Sequence, residues 1–140
     1  MAKDAHTVSS AREDLAAALN AAQGVRDIKV GKLALKKLVR QAEDLLEPQE
    51  KVEFGTYYYE RGFTIVTYYV LLVTDRRIIR VNRTTWKLKP WMSDRAAVTA
   101  VEVPDGSRPP WVTLRKGETA VAPFQLPRAD AYRLRDLLEP

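Results

Sequence analysis

Up to about residue 46 the apolar side chains recur at spacings of three and four, and from residue 51 they alternate along the chain. The first pattern belongs to amphipathic helices and the second to strands. Leu15, Leu19 and Ala22, with Ala18 beside them, predict a helix that begins at Ser9 or Ser10 and runs to about Gln23, with Gly24 as its stop. A second helix is expected from a cap at Asp27 to about Leu46, closed by Pro48. Its apolar stripe is Leu35, Leu38, Val39, Ala42, Leu45 and Leu46. A separate face carries Lys29, Lys32, Lys36, Arg40 and Glu43, again at spacings of three and four. Strands are expected near 51–59, 63–73, 77–82, 85–91, 96–103, 111–115 and 119–122. The turns between them include Thr74-Asp75-Arg76, Arg83-Thr84 and Met92-Ser93-Asp94, and the stretch from Pro104 to Pro110 is a loop. Pro127 opens a last helix to Glu139, whose Tyr132, Leu134, Leu137 and Leu138 can cover one end of a sheet.

The stretch 63–73 departs from simple alternation. Phe63, Ile65, Tyr69, Leu71 and Val73 lie on one face, and Val66, Tyr68, Val70 and Leu72 on the other. A half-buried antiparallel strand has a polar outer face. An apolar one requires a cover, and the N-terminal helices or a second copy of the chain are the natural candidates. Val66, Tyr68, Val70 and Leu72 are therefore candidate interface residues.

At 140 residues the chain reads as a flexible tail (1–8), a helical pair (9–46) and one mainly β domain (47–140). It has no cysteine, which excludes disulfides and thiolate zinc sites and suits a reducing, cytoplasmic setting. The longest apolar stretch falls short of the ~18 residues needed to span a bilayer. The first residues lack the apolar core of a signal peptide.

Catalytic chemistry finds little support. The one histidine, His6, falls in the expected tail, and no serine sits in a Gly-x-Ser-x-Gly elbow. The six glycines are scattered, so no phosphate loop is present. No cofactor and no metal is expected, and the chain is read as non-enzymatic.

The charge excess is modest and favours anionic partners only weakly, against the alternative of a solvated basic surface. The net charge is +5, from 23 basic and 18 acidic residues. A tight 77–82/85–91 hairpin would set Arg80 opposite Lys87, with Lys89 further along. Facing like charges are costly, and a bound anion would relieve the cost. Side chains splayed into water would do so as well. Lys29, Lys32, Lys36 and Arg40 form the second candidate anion or partner site, beside the alternative of a merely solvated face.

The junction Leu72-Val73-Thr74-Asp75-Arg76-Arg77-Ile78-Ile79 resembles the second-to-third strand hairpin of bacterial pleckstrin-homology domains. Leu45-Leu46-Glu47-Pro48-Gln49-Glu50-Lys51-Val52 is similar to that family's entry into its first strand, and Trp111-Val112-Thr113-Leu114 and the closing helix also fit. The resemblance covers about residues 45–139. It implies an α+β, mainly β fold: seven antiparallel strands in bent sheets forming a partly open barrel with a C-terminal capping helix. The helical pair is an addition to it. The chain is read as an interaction or scaffold module that assembles with itself or binds another protein; the resemblance itself implies only that relatives are often oligomeric. The alternative is an anion-binding module for a membrane surface or nucleic acid. The loop Tyr59-Glu60-Arg61-Gly62 departs from the basic lipid-headgroup loop of eukaryotic relatives, so that role is not carried over. Thr74 to Arg77 are read as turn builders, with Asp75 accepting the backbone N–H two residues on.

Overall fold

A computed structural model describes residues 7–29, 31–62, 65–83, 90–106, 108–121 and 123–139. Four helices and two antiparallel sheets are present among them. Helices α1 (Glu13–Asn20), α2 (Gln23–Arg26) and α3 (Lys32–Leu45) come first. The first sheet has the order β1 (Val52–Arg61), β2 (Val66–Thr74), β3 (Arg77–Arg83) and β4 (Trp91–Asp94). After a single 3-10 turn at Arg95–Ala97, the second sheet joins β5 (Ala100–Glu102), β6 (Trp111–Lys116) and β7 (Thr119–Ala120), and β8 (Phe124–Gln125) also pairs with β6. Helix α4 (Arg128–Leu138) closes the chain.

The first sheet is buried on both faces, because β2 is apolar on both. Tyr69, Leu71 and Val73 pack with Phe54 and Ile78 against Val101, Val112, Leu114 and Phe124 of the second sheet. Val70 and Leu72 pack with Ile79 and Val81 against Leu15 and Leu19 of α1 and Leu35, Leu38 and Val39 of α3. The chain's own helices thus cover the outer face, at about 1.5–3 kcal/mol for each large aliphatic side chain removed from water. Strand β1 switches between the two cores by a β-bulge at Glu53. Val52 pairs with Thr74 and Phe54 with Val73, so residues two apart face opposite sides.

The helical region departs from the expected pair. Gly24 lies inside the short α2 and is not a stop: a Cβ there would sit 2.0 Å from the Tyr57 carbonyl oxygen. Close approach to β1, rather than helix termination, demands the glycine. Asp27 ends α2, and the residue before α3 is Gly31, in a left-handed conformation at φ 76°. The short α2 thus stands where the stop of the first helix and the cap of the second were expected.

The strands number eight among the described residues, against seven expected. Met92-Ser93-Asp94, expected as a turn, belongs to β4. The start of the expected 96–103 strand is instead the 3-10 turn. Most of the expected 85–91 strand, including Lys87 and Lys89, lies outside the described residues, as does Phe63.

In α4, Ala131 and Leu134 are fully buried in the inter-sheet core, while Leu137 and Leu138 are only half-buried at its edge. Tyr132 lies between the guanidinium groups of Arg128 and Arg135. Asp130, buried to 1% exposure, fastens the helix to the rest. Its carboxylate accepts the backbone N–H groups of Gln23 (2.8 Å) and Gly24 (2.9 Å) and the Thr56 hydroxyl (2.6 Å). The α2 N-terminus is thus capped by a side chain from the other end of the chain.

Candidate functional site

The hairpin singled out by charge does not form a cationic site at Arg80. In the β3–β4 register Arg80 faces Trp91, not Lys87. The strand begins later than the tight turn required, which moves the pairing and removes the repulsion. Arg80 is satisfied within the fold. It pairs with Glu60 at 3.1 Å, donates to Asn82 Oδ1 at 2.7 Å, and lies 4.1 Å from the centre of the Tyr69 ring. Of the candidate interface residues, Val70 and Leu72 are fully buried beneath the helices, and Val66 and Tyr68 are partly buried. Tyr68 stacks parallel to Tyr57 at 6.2 Å.

The β2–β3 turn is structural, with roles distributed differently from expectation. The Thr74 hydroxyl oxygen, not Asp75, accepts the N–H groups of Arg76 (3.1 Å) and Arg77 (3.0 Å). Asp75 instead accepts the Lys51 N–H at 3.0 Å and ties the turn to the start of β1. Thr74 donates to the buried Glu50 at 2.7 Å. Arg77 clamps the same carboxylate through Nε (2.8 Å) and a terminal nitrogen (2.9 Å), and donates to the Leu45 carbonyl (2.7 Å). These bonds from Arg77, helped by Thr74, hold the Glu50 carboxyl at about 2 against the opposing effect of burial. Both arginines are spent here, since Arg76 pairs with Glu47.

Unpaired cations gather on α3. Lys29, Lys32, Lys36 and Arg40 all lie exposed, joined by Lys37, which the sequence reading left out. Residues 29–40 hold these five cations and no acid. None of the five takes part in an ion pair among the described residues, whereas Arg12, Arg76, Arg77, Arg80, Arg95, Arg115, Arg133 and Arg135 each do. Glu43, the acid nearest in the helix, is occupied elsewhere, accepting from the Ser10 hydroxyl and from the Ala11 N–H at 3.1 Å. The charge order also opposes the helix dipole. Lys32 stands in the first turn, which has no acid, and the last turn, with Glu43 and Asp44, has no base. Each such charge costs roughly 0.3–1 kcal/mol relative to the favourable order. The arrangement does not serve the stability of the helix.

Beside this face lies a groove of about 400 Å³ between α3 and the segment leading into α1. Its buried lining is Val8, Ile28, Leu35 and Val39. Its exposed rim is Lys32, Lys36 and Leu33, the last 68% exposed. Leu33 was missed in the sequence because it falls outside the apolar stripe; its place among lysines is the signal that could have marked it. A second cavity, of about 500 Å³, lies where Gln23 and Gly24 meet Tyr57, Tyr58, Pro127 and Arg128. Among the described residues no group of three or more His, Cys, Asp or Glu side chains is placed to hold a metal ion. No helix among them is long and apolar enough to cross a membrane.

Comparison of the chain with family models, with curated proteins and with solved structures returned no match. The functional reading rests on the geometry above.

Proposed function

We propose that this chain is a non-enzymatic binding module of the cytoplasm, built on a pleckstrin-homology-like frame and docking another protein through α3. Two packed antiparallel sheets, the Thr74–Arg77 hairpin between β2 and β3 and the docked α4 support the frame. The observation that carries the function is the set of five exposed cations on and just before α3, none of them in an ion pair among the described residues. Every other charged cluster described above is neutralised within the fold. Partner binding is favoured over self-assembly because the strand face that called for a second copy is covered by the chain's own helices. The same cations support a second reading, an anion-binding module for a membrane surface or nucleic acid.

Titration of the full chain with an oligoglutamate peptide, an oligonucleotide and anionic vesicles tests the proposal. The peptide is expected to shift the amides of residues 29–40, with an affinity that weakens as salt rises. Reversing Lys32, Lys36 and Arg40 to Glu should abolish the shifts without lowering the melting temperature, since an acid in the first turn of α3 suits the helix dipole. Binding of oligonucleotide or vesicles without peptide would establish the second reading in its place.

A further inference from the structure

The cationic face of α3 borders a concave apolar surface, and the two together specify a partner more narrowly than charge does. We infer that the groove beside α3 receives an acidic, amphipathic segment of a partner protein, with an aliphatic side chain seated between Val8, Ile28, Leu35 and Val39 and its carboxylates on Lys32 and Lys36. The inference rests on the reading of α3 as a protein-docking surface and names the chemistry of what docks there.

Three observations select this occupant. The lining of the groove is aliphatic, and its four buried side chains are each less than 9% exposed, so it is a preformed depression and not a flat patch. Its volume of about 400 Å³ falls in the ~300–1,000 Å³ range of small binding pockets. A bilayer surface presents a plane and meets protruding side chains, whereas a depression is filled by a single projecting side chain. Second, the charge at the rim is of one sign. Lys32 and Lys36 are one helical turn apart on the edge of the groove and have no ion-pair partner among the described residues. Acidic groups flanking an aliphatic anchor complement that edge, and a basic or neutral segment does not. Third, Leu33 stands on the same rim, 68% exposed, although aliphatic surface nearby is well buried. A segment lying across the rim covers it. Nucleic acid suits the lining poorly, because bases stack on aromatic rings and the groove is lined by none among the described residues.

The test uses two synthetic peptides with the same glutamates on one helical face. One carries leucines on the opposite face, and the other carries serines at those positions. Both are titrated into the full chain and followed by fluorescence anisotropy and amide chemical shifts, alongside vesicles of mixed phosphatidylserine and phosphatidylcholine. The leucine peptide should bind at least about tenfold more tightly than the serine peptide, as burial of one large aliphatic side chain allows. Its shifts should include Val8, Ile28 and Leu35 as well as the lysines. Leu33→Ser should bring the leucine peptide close to the affinity of the serine peptide. Lys32→Glu with Lys36→Glu should weaken both peptides. All three positions are exposed, and the two reversals move charge in the direction the helix dipole favours, so a melting temperature that does not fall appreciably reports an intact fold.

Equal binding of the two peptides, with shifts confined to the cations, would leave α3 a docking surface and overturn the groove as its anchor site. Vesicle binding without peptide binding would overturn both. Leucine-peptide binding that ignores all three substitutions would place its site elsewhere and overturn the inference. Binding that appears only after residues 1–6 are removed would assign the groove to the chain's own N-terminus, and would also overturn it.

Discussion

At the scale of single residues, two buried carboxylates organise the molecule, and neither stood out in the sequence. Glu50 meets partners 24 and 27 residues away, at Thr74 and Arg77, and Asp130 meets partners more than one hundred residues away at Gln23 and Gly24. A pattern read in short windows has no access to such pairs. The Thr74-to-Arg77 turn was legible because its chemistry is local, yet the threonine rather than the aspartate performs it. The acid response follows from Glu50 and Asp14. The Glu50 carboxyl lies at about 2 in the fold against an ordinary value of 4.5, so its folded state is the more acidic one. Stabilisation from it is complete above pH 4.5 and is lost as the pH falls towards 2. Asp14, held at about 2 by the Arg12 guanidinium, adds to the same slope. Urea midpoints measured down the pH scale should therefore fall steeply across that window, and Glu50→Gln should flatten the fall. The same substitution should cost about 1.5–3 kcal/mol near neutral pH, because Arg77 and Thr74 lose a charged, buried partner. A pH profile identical to that of the unaltered chain would show that the Glu50–Arg77 clamp contributes nothing to folding.

At the scale of elements, strands were easier to read than helix boundaries. Alternation located β1, β2, β3 and β6 to within a few residues, since each has a core face that fixes its register. The region before α3 was misread because glycine signals both a helix stop and a close approach. The reason for Gly24 lies in the Tyr57 carbonyl on β1, which no local pattern contains. Gly24→Ala should accordingly be destabilising, by roughly 1–3 kcal/mol, since the obstructing atom is backbone and cannot swing away. A conventional helix-interior glycine would instead gain stability on the same change. The sign of the shift in denaturant midpoint decides between the two. The last helix gives a similar contrast. Leu134 is fully buried and Leu137 half-buried, so Leu134→Ala should cost about 2–5 kcal/mol and Leu137→Ala clearly less. Equal losses would mean that α4 docks by a different face.

At the scale of the whole molecule, one sheet serves two cores, and this makes the N-terminal helices part of the fold. The need for a cover over Val70 and Leu72 was legible from β2 alone. Which element supplied it was not, because α1, α3 and a second copy all offered apolar surface. The structure gives the place to Leu15 and Leu19 of α1 and to Leu35, Leu38 and Val39 of α3. The candidate site was legible in the same partial way: the cations of α3 followed from helical spacing, but the groove beside them needed the packing of Val8 and Ile28. Removal of residues 1–44 should then have two consequences. It bares Tyr57, Val70, Leu72, Ile79 and Val81, a continuous apolar patch of a kind that soluble monomers rarely present. It also takes away the two N–H groups that Gln23 and Gly24 donate to Asp130, leaving its carboxylate with the Thr56 hydroxyl and a 3.4 Å contact to Arg133. The loss of two charge-assisted hydrogen bonds is destabilising in its own right. The full chain, with that face covered, should run as a monomer in size-exclusion chromatography with light scattering. The truncated chain should aggregate or form larger species and melt at a lower temperature. Asp130→Asn in the full chain separates the two causes, since it weakens the polar tie without exposing the patch: it should lower the melting temperature and leave the mass unchanged. A truncated chain that stays monomeric and melts with the full one would show that residues 45–140 fold independently and that the helices cover nothing the sheet requires.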